Sequence, residues 1–440
     1  MINSSGDFVM HTFGCKVNTY DTGLIQKNLR ANFNGLANKS LVHVLNTCAV
    51  TAEATQQAVR LIRKIKSQQP FATVVVTGCA AQVDTDAFKN ISGADLIIAN
   101  SHKGLLPQIL DQYFKGEVKD KVFKSNIFHK DDLEMGGGLE SHHTRSFLKI
   151  QDGCNSFCAF CIIPYARGKS RSIPIAHIVA RVQELEAKNI KEVVLTGVHI
   201  GDYEDTLSGF AKTLEDLVES LLNSTSKIRY RLSSLEPIEI TSRLLELYQD
   251  ARLCPHFHMS IQSAESDVLK QMKRKYDSDK VQQSLEEIVK KVPNVFIGMD
   301  VIAGFPTETD EQFEKTYSLL ATAPWTRLHV FPYSERVGTR AETLPQIPFH
   351  VRKERATKLR QLSLHRYQAE ALKQRGRIKS VLTLAGSKKS NGLSEDYWSV
   401  KFSDAAGNQI AANEIRTVRI TDVIIENSDV ILSGEICHDI

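Results

Sequence analysis

"GCNSFCAFC", residues 153–161, sets three cysteines in a C-x3-C-x2-C spacing. A structural zinc site would ordinarily draw four ligands from the protein, and neither a fourth cysteine nor a histidine lies close by in sequence. Three thiolates match a 4Fe–4S cluster with one iron left open, because cysteines are the usual protein ligands of such clusters. Zinc is the alternative reading. The surroundings of the triplet decide the fold. "FLKIQ" (147–151) runs into it as a strand candidate, followed by "EVVLTG" (192–197), "IRYRLSS" (228–234), "FHMSIQ" (257–262), "VFIGMDVIAG" (295–304) and "RLHVFPY" (327–333). Amphipathic segments such as "AHIVARVQELEAKN" and "SDKVQQSLEEIVKKV" separate them. Six strands alternating with helices predict an α/β fold, a parallel sheet curled into a partial (β/α)6 barrel.

Upstream, one pattern occurs three times. "FVMHTFGC" ends at Cys15, "LVHVLNTC" at Cys48 and "TVVVTGC" at Cys79, each an apolar run followed by a polar segment of helical spacing. The cysteines stand 33 and 31 residues apart, a natural length for a βα unit. An open parallel sheet brings its carboxyl strand ends to one edge, where ligands bind. A single cysteine there reads as a small core residue; the same residue at the same place in three units reads as a converging set.

Downstream, residues 351–379 carry ten Lys/Arg against two Glu, with Leu359, Leu362, Ala369 and Leu372 as one apolar stripe. Short β-like runs then follow, "IKSVLTLAG", "YWSVKF", "TVRITDVII" and "DVILSGEI", which predict a small all-β barrel. The expected organisation is an α/β domain over 1–125, a polar linker over 126–144, the partial barrel over 145–376 and the β barrel over 377–440. The histidine pair His142–His143 falls in the linker, and Cys254 and Cys437 fall outside both trios and read as structural.

With 440 residues, 42% apolar and 24% charged, the chain can bury large cores without staples, so its metal sites read as chemical rather than structural. The N-terminus shows no signal peptide pattern, and no apolar run approaches the ~20 residues of a membrane span. A cytoplasmic protein without a membrane partner is expected, and in a reducing compartment the eight cysteines point to metal or catalysis rather than disulfides. A net charge of +4 says little about nucleic acid; the basic run beside a β barrel says more.

The triplet, with Phe160 before its last cysteine, resembles the hallmark of the radical S-adenosylmethionine superfamily. That resemblance implies that the open iron takes the amino and carboxylate groups of S-adenosylmethionine. It also assigns cofactor contacts to the carboxyl ends of the barrel strands: Gly197 and His199 in "LTGVHIG", Ser233 and Glu236 in "SSLEP", Gln262 in "SIQS", Arg274, and Asp300 and Gly304 in "DVIAGFP". Polar groups there suit the ribose, ammonium and carboxylate of that molecule. Each motif alone has a plainer reading, a βα turn for the glycines and a helix cap for Glu236. Tyr165 and Arg167 would help shape the pocket or form an ordinary turn.

Adding the trio Cys15, Cys48 and Cys79 and the terminal barrel, the whole chain resembles the methylthiotransferase family. "TFGCKVNTYDT", "IQDGCNSFCAFCIIPYARG", "RLSSLEP" and "HVFPYSERVGT" are similar to the branch acting on tRNA N6-threonylcarbamoyladenosine at position 37. The resemblance implies two 4Fe–4S clusters, with Cys154, Cys158 and Cys161 generating the radical and Cys15, Cys48 and Cys79 holding the sulfur source. It implies S-adenosylmethionine as both radical source and methyl donor, no acid/base catalytic residue, and a TRAM-like RNA-binding barrel. The expected partners are the tRNA anticodon stem–loop, contacted by segment 352–379 and the barrel, and an electron donor such as flavodoxin or ferredoxin; a monomer is expected. Tyr397 and Trp398 would stack bases or fill the barrel, filling being the reading for Trp398. The same chemistry on N6-isopentenyladenosine of tRNA or on a ribosomal-protein aspartate is the nearest alternative; a radical methyltransferase without sulfur insertion would leave the first trio without a role. Two departures stand out: Thr307 in "GFPTE" and Ala264 in "QSAES" replace glycines common in relatives, and either would strain a turn that needs positive φ.

Overall fold

Strands buried on both faces read as continuous apolar runs, and the first domain is built from such runs. In the computed structural model, which describes residues 3–5, 8–32, 41–131, 133, 144–207, 209–385, 391–403, 410–426 and 428–437, β1 (Asn3–Ser5), β2 (Phe8–Thr12), β3 (Val42–Thr47), β4 (Thr73–Gly78), β5 (Leu96–Ala99) and β6 (Val122–Phe123) form one sheet in chain order. β1 is antiparallel to β2 and the remaining pairs are parallel. Helices Lys16–Asn32 and Leu106–Phe114 cover one face through Ile25, Leu29, Ile109 and Leu110, and helix Ala52–Gln68 covers the other through Ala58, Ile62 and Ile65. Because β2, β3 and β4 are immediate neighbours, their carboxyl ends lie side by side.

The second region is the curled sheet. β7 (Ser146–Lys149) leads into a hairpin of β8 (Gln151–Asp152) and β9 (Arg171–Ser172) that brackets the cysteine loop. β10 (Glu192–Thr196), β11 (Arg229–Leu232), β12 (Ser234–Leu235), β13 (His256–Gln262), β14 (Phe296–Ala303) and β15 (Arg327–Pro332) follow. The strands pair in the orders β11-β10-β7 and β12-β13-β14-β15, all parallel. "IRYRLSS", expected as one strand, breaks at Ser233, whose N–H turns to the Leu195 carbonyl (3.0 Å); the break bends the sheet into its open barrel. With a side-chain period of two, Val193, Leu195, Tyr230, Leu232, Met259, Met299, Val301 and Leu328 join the core beneath the helices. Glu192, Arg229, Arg231, His256, His258, Asp300 and His329 take the opposite face and line the lumen.

The basic run forms helix Phe349–Leu372, and its arginines are not the open RNA face that the charge count suggested. Arg352 binds Glu335 and the Tyr333 and Ile347 carbonyls, Arg355 binds Glu308 and Asp310, and Arg360 and Arg366 bind carbonyls of Val330, Ala321 and Ala323. Long basic side chains pack their stems and place charge on carbonyls at element ends. Of the expected stripe Leu359 is buried, Leu362 is partly buried, and Ala369 and Leu372 are exposed; Ala356, Ser363, Tyr367 and Ala371 complete the buried face.

β16 (Ile378–Thr383), β17 (Gly392–Ser394), β18 (Ser399–Ser403), β19 (Ile415–Glu426) and β20 (Asp429–Ile436) close a barrel in the order β16-β17-β18-β20-β19. Trp398 is buried in its core and stacks on Tyr367 at 4.9 Å, tying barrel to helix. Of the segment read as linker, Ile127–His129 makes a 3-10 turn with Ile127 buried; His142 and His143 lie outside the described residues. Among the described residues no helix is long and apolar enough to cross a membrane.

Candidate functional site: two cysteine trios joined by one arginine

Cys15 follows β2 after a short turn, Cys48 directly follows β3, and Cys79 opens the helix after β4. Gly14 and Gly78 sit at φ +89° and +93°. A Cβ on Gly14 would lie 2.6 Å from Cys48 Sγ, and one on Gly78 2.5 Å from the Thr47 backbone. These glycines let adjoining strand ends approach until the three thiols share one electrostatic environment. Burial pushes the Cys48 thiol up to about 12, with Cys79 and Cys15 adding repulsion. Burial also raises Cys15, against the pull of Arg167. Cys15 nonetheless has accessible surface.

The second trio lies on the loop after β8. Gly153 (φ +77°) makes the turn into it, and any Cβ there would fall 1.9 Å from the Lys169 carbonyl oxygen. The Cys154 N–H bonds to the Gly168 carbonyl at 3.1 Å, and the Ala159 N–H bonds to that of Met272 at 3.0 Å. Arg274 ties this loop to the strand ends: it donates to Cys158 Sγ (3.2 Å), the Ser260 carbonyl (2.7 Å) and Tyr276 Oη (2.7 Å), and pairs with Glu236 (3.0 Å). Burial pushes Cys161 up to about 12 and raises Cys158 despite Arg274. Burial also opposes ionisation of Cys154, but His199 and Ser156 overcome it and lower that thiol.

The expected cofactor residues mostly gather above this loop. Gly197 follows β10, with Gln151 Oε1 2.9 Å from where its Cβ would be. His199 directs Nε2 at Glu239 (2.5 Å) and Nδ1 at Asp202 (3.1 Å), with Cys154 Sγ at 3.8 Å. Glu236 caps the turn Pro237–Glu239, the plainer of its two readings, and also pairs with Arg274. Ser233 Oγ is buried without a partner among the described residues. Gln262 stands at φ +63° where the β13–β14 register shifts, a bulge that re-aims its side chain. Gly304 (φ +73°) admits Arg352, whose Cγ is 2.7 Å from a Cβ position. Two residues stand apart: Asp300 lies within β14 and pairs with His258 (2.9 Å), and Phe160 packs against the cluster of Phe305 and Tyr333. Thr307 does carry the expected strain at φ +70°, with Oγ1 bonded to Gln271. Ala264 does not: it is a buried core residue without positive φ, and Gln262 makes the left-handed turn instead.

Arg167 is the residue whose importance the sequence understated. It is buried and donates to Cys79 Sγ (3.2 Å), Asp152 (2.8 Å), Asn18 (2.6 Å) and Asp21 (3.0 Å). Asp21 also binds Lys103 and Lys149, and Lys149 also binds Asp152. One guanidinium thus touches the first trio, and through Asp152 it braces the strand that delivers the second. The only signal was its place in "IPYARG", too short to reveal four partners spread over two domains.

Iron–sulfur ligation fits both trios. Each offers three sulfurs from one set of strand ends or one loop, and each is touched by an arginine, Arg167 at Cys79 and Arg274 at Cys158, that suits the net negative charge of a thiolate-bound cluster. Cys154, His199 and Asp202 have donor atoms within 4.8 Å of one another, and His199 Nε2 is held by Glu239 at 2.5 Å.

Comparison with known proteins agrees. The Radical SAM superfamily matches residues 148–320, and the uncharacterized protein family UPF0004 matches 7–99. The threonylcarbamoyladenosine tRNA methylthiotransferase MtaB of Rickettsia prowazekii is 44% identical over 80% of this chain and 81% of its own, and that of Aquifex aeolicus 37% over 89% and 95%. A tRNA-2-methylthio-N(6)-dimethylallyladenosine synthase of Staphylococcus epidermidis is 30% identical over 89% of this chain and 77% of its own. The radical S-adenosylmethionine methyltransferase TsrM from Kitasatospora setae shares the fold at 13% identity and TM-score 0.51, covering 73% of this chain and 69% of that one. With two cysteine sets at the expected strand ends and relatives alike over most of their length, the chain belongs to the threonylcarbamoyladenosine tRNA methylthiotransferases of the radical S-adenosylmethionine superfamily.

Proposed function

We propose that this chain methylthiolates C2 of N6-threonylcarbamoyladenosine 37 in tRNA by radical chemistry. The observation that carries the reading is the shared arginine: Arg167 lies 3.2 Å from Cys79 and 2.8 Å from Asp152, two residues before Cys154. In this reading the two trios serve one site, each with its own task.

In this reading Cys154, Cys158 and Cys161 hold one 4Fe–4S cluster and Cys15, Cys48 and Cys79 a second. When bound, the first supplies the electron that cleaves S-adenosylmethionine to its 5′-deoxyadenosyl radical, and the second supplies sulfur for a methyl group from another S-adenosylmethionine. The protein's part is positional. Gly153 and Arg274 fix the cysteine loop against β13, and Gly197, Ser233, Glu236 and Gln262 present polar groups to the nucleoside and amino acid ends of the cofactor. Arg167 orients Cys79 and holds the two domains in register. A C2–H bond offers no acidic proton, so this reading assigns its activation to the radical rather than to a general base.

For RNA, the reading moves away from the helix of residues 349–372, whose arginines are engaged internally, towards the mouth of the site. Phe128, Phe157 and Tyr165 pack ring to ring at 5.9–6.2 Å beside the cysteine loop, with Phe157 and Tyr165 exposed. Such faces suit splayed anticodon-loop bases. A one-electron donor such as flavodoxin or ferredoxin, and a monomeric chain, complete the proposal.

Mass spectrometry of tRNA nucleosides tests it directly. Deleting the gene should remove 2-methylthio-N6-threonylcarbamoyladenosine and leave its unthiolated precursor, and the intact gene should restore it. Unchanged nucleosides would refute the reading. Replacing Cys15, Cys48 and Cys79 together by alanine should abolish thiolation while 5′-deoxyadenosine is still released.

A further inference from the structure

Among the described residues, three arginines at the floor of the lumen converge on one fully buried acid, Glu192. Arg145, Arg229 and Arg231 share Glu192 at 3.4, 2.7 and 3.2 Å. Arg229 and Arg231 spend their other N–H groups on the carbonyls of Ser380, Leu393, Ser394 and Glu395. Lys16, the residue after Cys15, reaches the same region from the first domain: its ionisable neighbours are Tyr397, Arg145, Arg231 and Glu192. It is only half-buried, yet it makes no hydrogen bond or ion pair to any described residue.

The opposite wall is also built rather than incidental. Tyr397 is held at φ +75°, a conformation costly for a tyrosine. That turn drives its ring out of the terminal barrel, onto His256 at 4.0 Å and under Arg231 at 4.9 Å. His256 is buried, and its Nδ1 has no partner among the described residues. An unpaired ammonium in a walled lumen, beside a guanidinium and a donor-capable phenol, is a receptor for an anion.

We propose that Lys16, with Arg145 beside it, pairs with the carboxylate of the threonylcarbamoyl substituent and so selects that nucleoside over one whose N6 group is apolar. This rests on the methylthiolation reading above and names the group that enforces it. The adenine would lie between Cys15 and the strand ends, with its N6 substituent directed to the floor. A neutral substituent would leave the ammonium desolvated and unpaired, which is the source of the discrimination.

The test is binding, read by fluorescence anisotropy on the anaerobically reconstituted chain without reductant. Three anticodon stem–loops differ only at N6: the threonylcarbamoyl acid, its methyl ester, and isopentenyl. The wild type should prefer acid over ester by about 10- to 100-fold, the worth of a charge-assisted pair. In Lys16→Met that ratio should fall to about two-fold or less, with ester affinity unchanged; retention of the wild-type ratio overturns the proposal. Iron and sulfide are measured alongside because Lys16 adjoins Cys15. If Lys16→Met binds less iron than wild type, Arg145→Met decides: a reduced ratio supports the receptor and an unchanged one overturns it. S-adenosylmethionine affinity should be the same in wild type and Lys16→Met; a loss matching that for the acid would assign the lysine to the methionyl carboxylate and overturn the proposal. A wild type with no acid preference also overturns it, whereas absence of the 2-methylthio product in cells strikes the underlying reading.

Discussion

Replacing Glu192 by glutamine removes the charge that docks the terminal barrel. Glu192 is fully buried, and its oxygens accept from Arg229 Nε (2.7 Å), Arg231 Nε and Nη2 (3.2 Å each) and Arg145 Nη1 (3.4 Å). Glutamine keeps the shape but leaves two buried guanidinium groups without a carboxylate. Breaking a buried pair in this way costs ~3–5 kcal/mol. The four barrel carbonyls still solvate the arginines, so the lower end, about 3 kcal/mol, is expected. With a urea slope of roughly 3 kcal/mol per molar, the midpoint should fall by about 1 M. Trp398 reports on the barrel and Trp325 on the curled sheet, so the measurement is best made by fluorescence in a Trp325→Phe background under anaerobic conditions. The pH dependence gives a second handle. Burial opposes ionisation of Glu192, but Arg231, Arg229 and Arg145 overcome it and hold the carboxyl well below the usual range. A depressed folded-state pKa adds stability above the unfolded value of ~4.3, and that stability is lost as pH falls further. The gap between wild type and Glu192→Gln should therefore be flat from about pH 7 to pH 5.5 and narrow below about pH 4. A loss under ~1 kcal/mol at neutral pH, or a gap that stays constant into acid, would refute a docking network built on this charge.

Gly153→Ala should block the turn into the radical-site loop and leave the reconstituted chain with roughly half the iron, all at the first trio, by metal analysis; full iron content would contradict the turn's role. Arg167→Lys keeps the charge but cannot reach four acceptors with a planar fork, and should destabilise by about 2–3 kcal/mol in chemical denaturation. Thr307→Gly should relieve the left-handed strain and raise stability by about 1 kcal/mol, seen as a higher melting midpoint. Affinity for tRNA should fall steeply as salt rises, because phosphate contacts release counterions; a flat response would argue against an RNA substrate.

How much was legible beforehand follows the range of the interactions concerned. Cys154, Cys158 and Cys161 are close in the chain, and Cys15, Cys48 and Cys79 repeat with the period of a βα unit, so spacing alone announced both sets and the alternation of strands and helices announced the sheets. The glycines before Cys15, Cys79 and Cys154 could have strengthened that reading, since each supplies the positive φ that turns a thiol off a strand end. Composition could not say where the guanidinium groups of the basic run point: Arg352, Arg355, Arg360 and Arg366 satisfy carbonyls and carboxylates of their own chain.

What sequence alone determined here is local chemistry and period: which residues could ligate metal, and which segments alternate apolar and polar faces. Tertiary structure alone decided the company those residues keep. Arg167 finds Asn18, Asp21, Cys79 and Asp152, and Arg231 finds the ring of Tyr397 from the far end of the chain, only after the sheets and the terminal barrel have packed together. Electrostatic partnership depends on distance through space and on exclusion of water, and neither quantity is written in the order of residues along a chain.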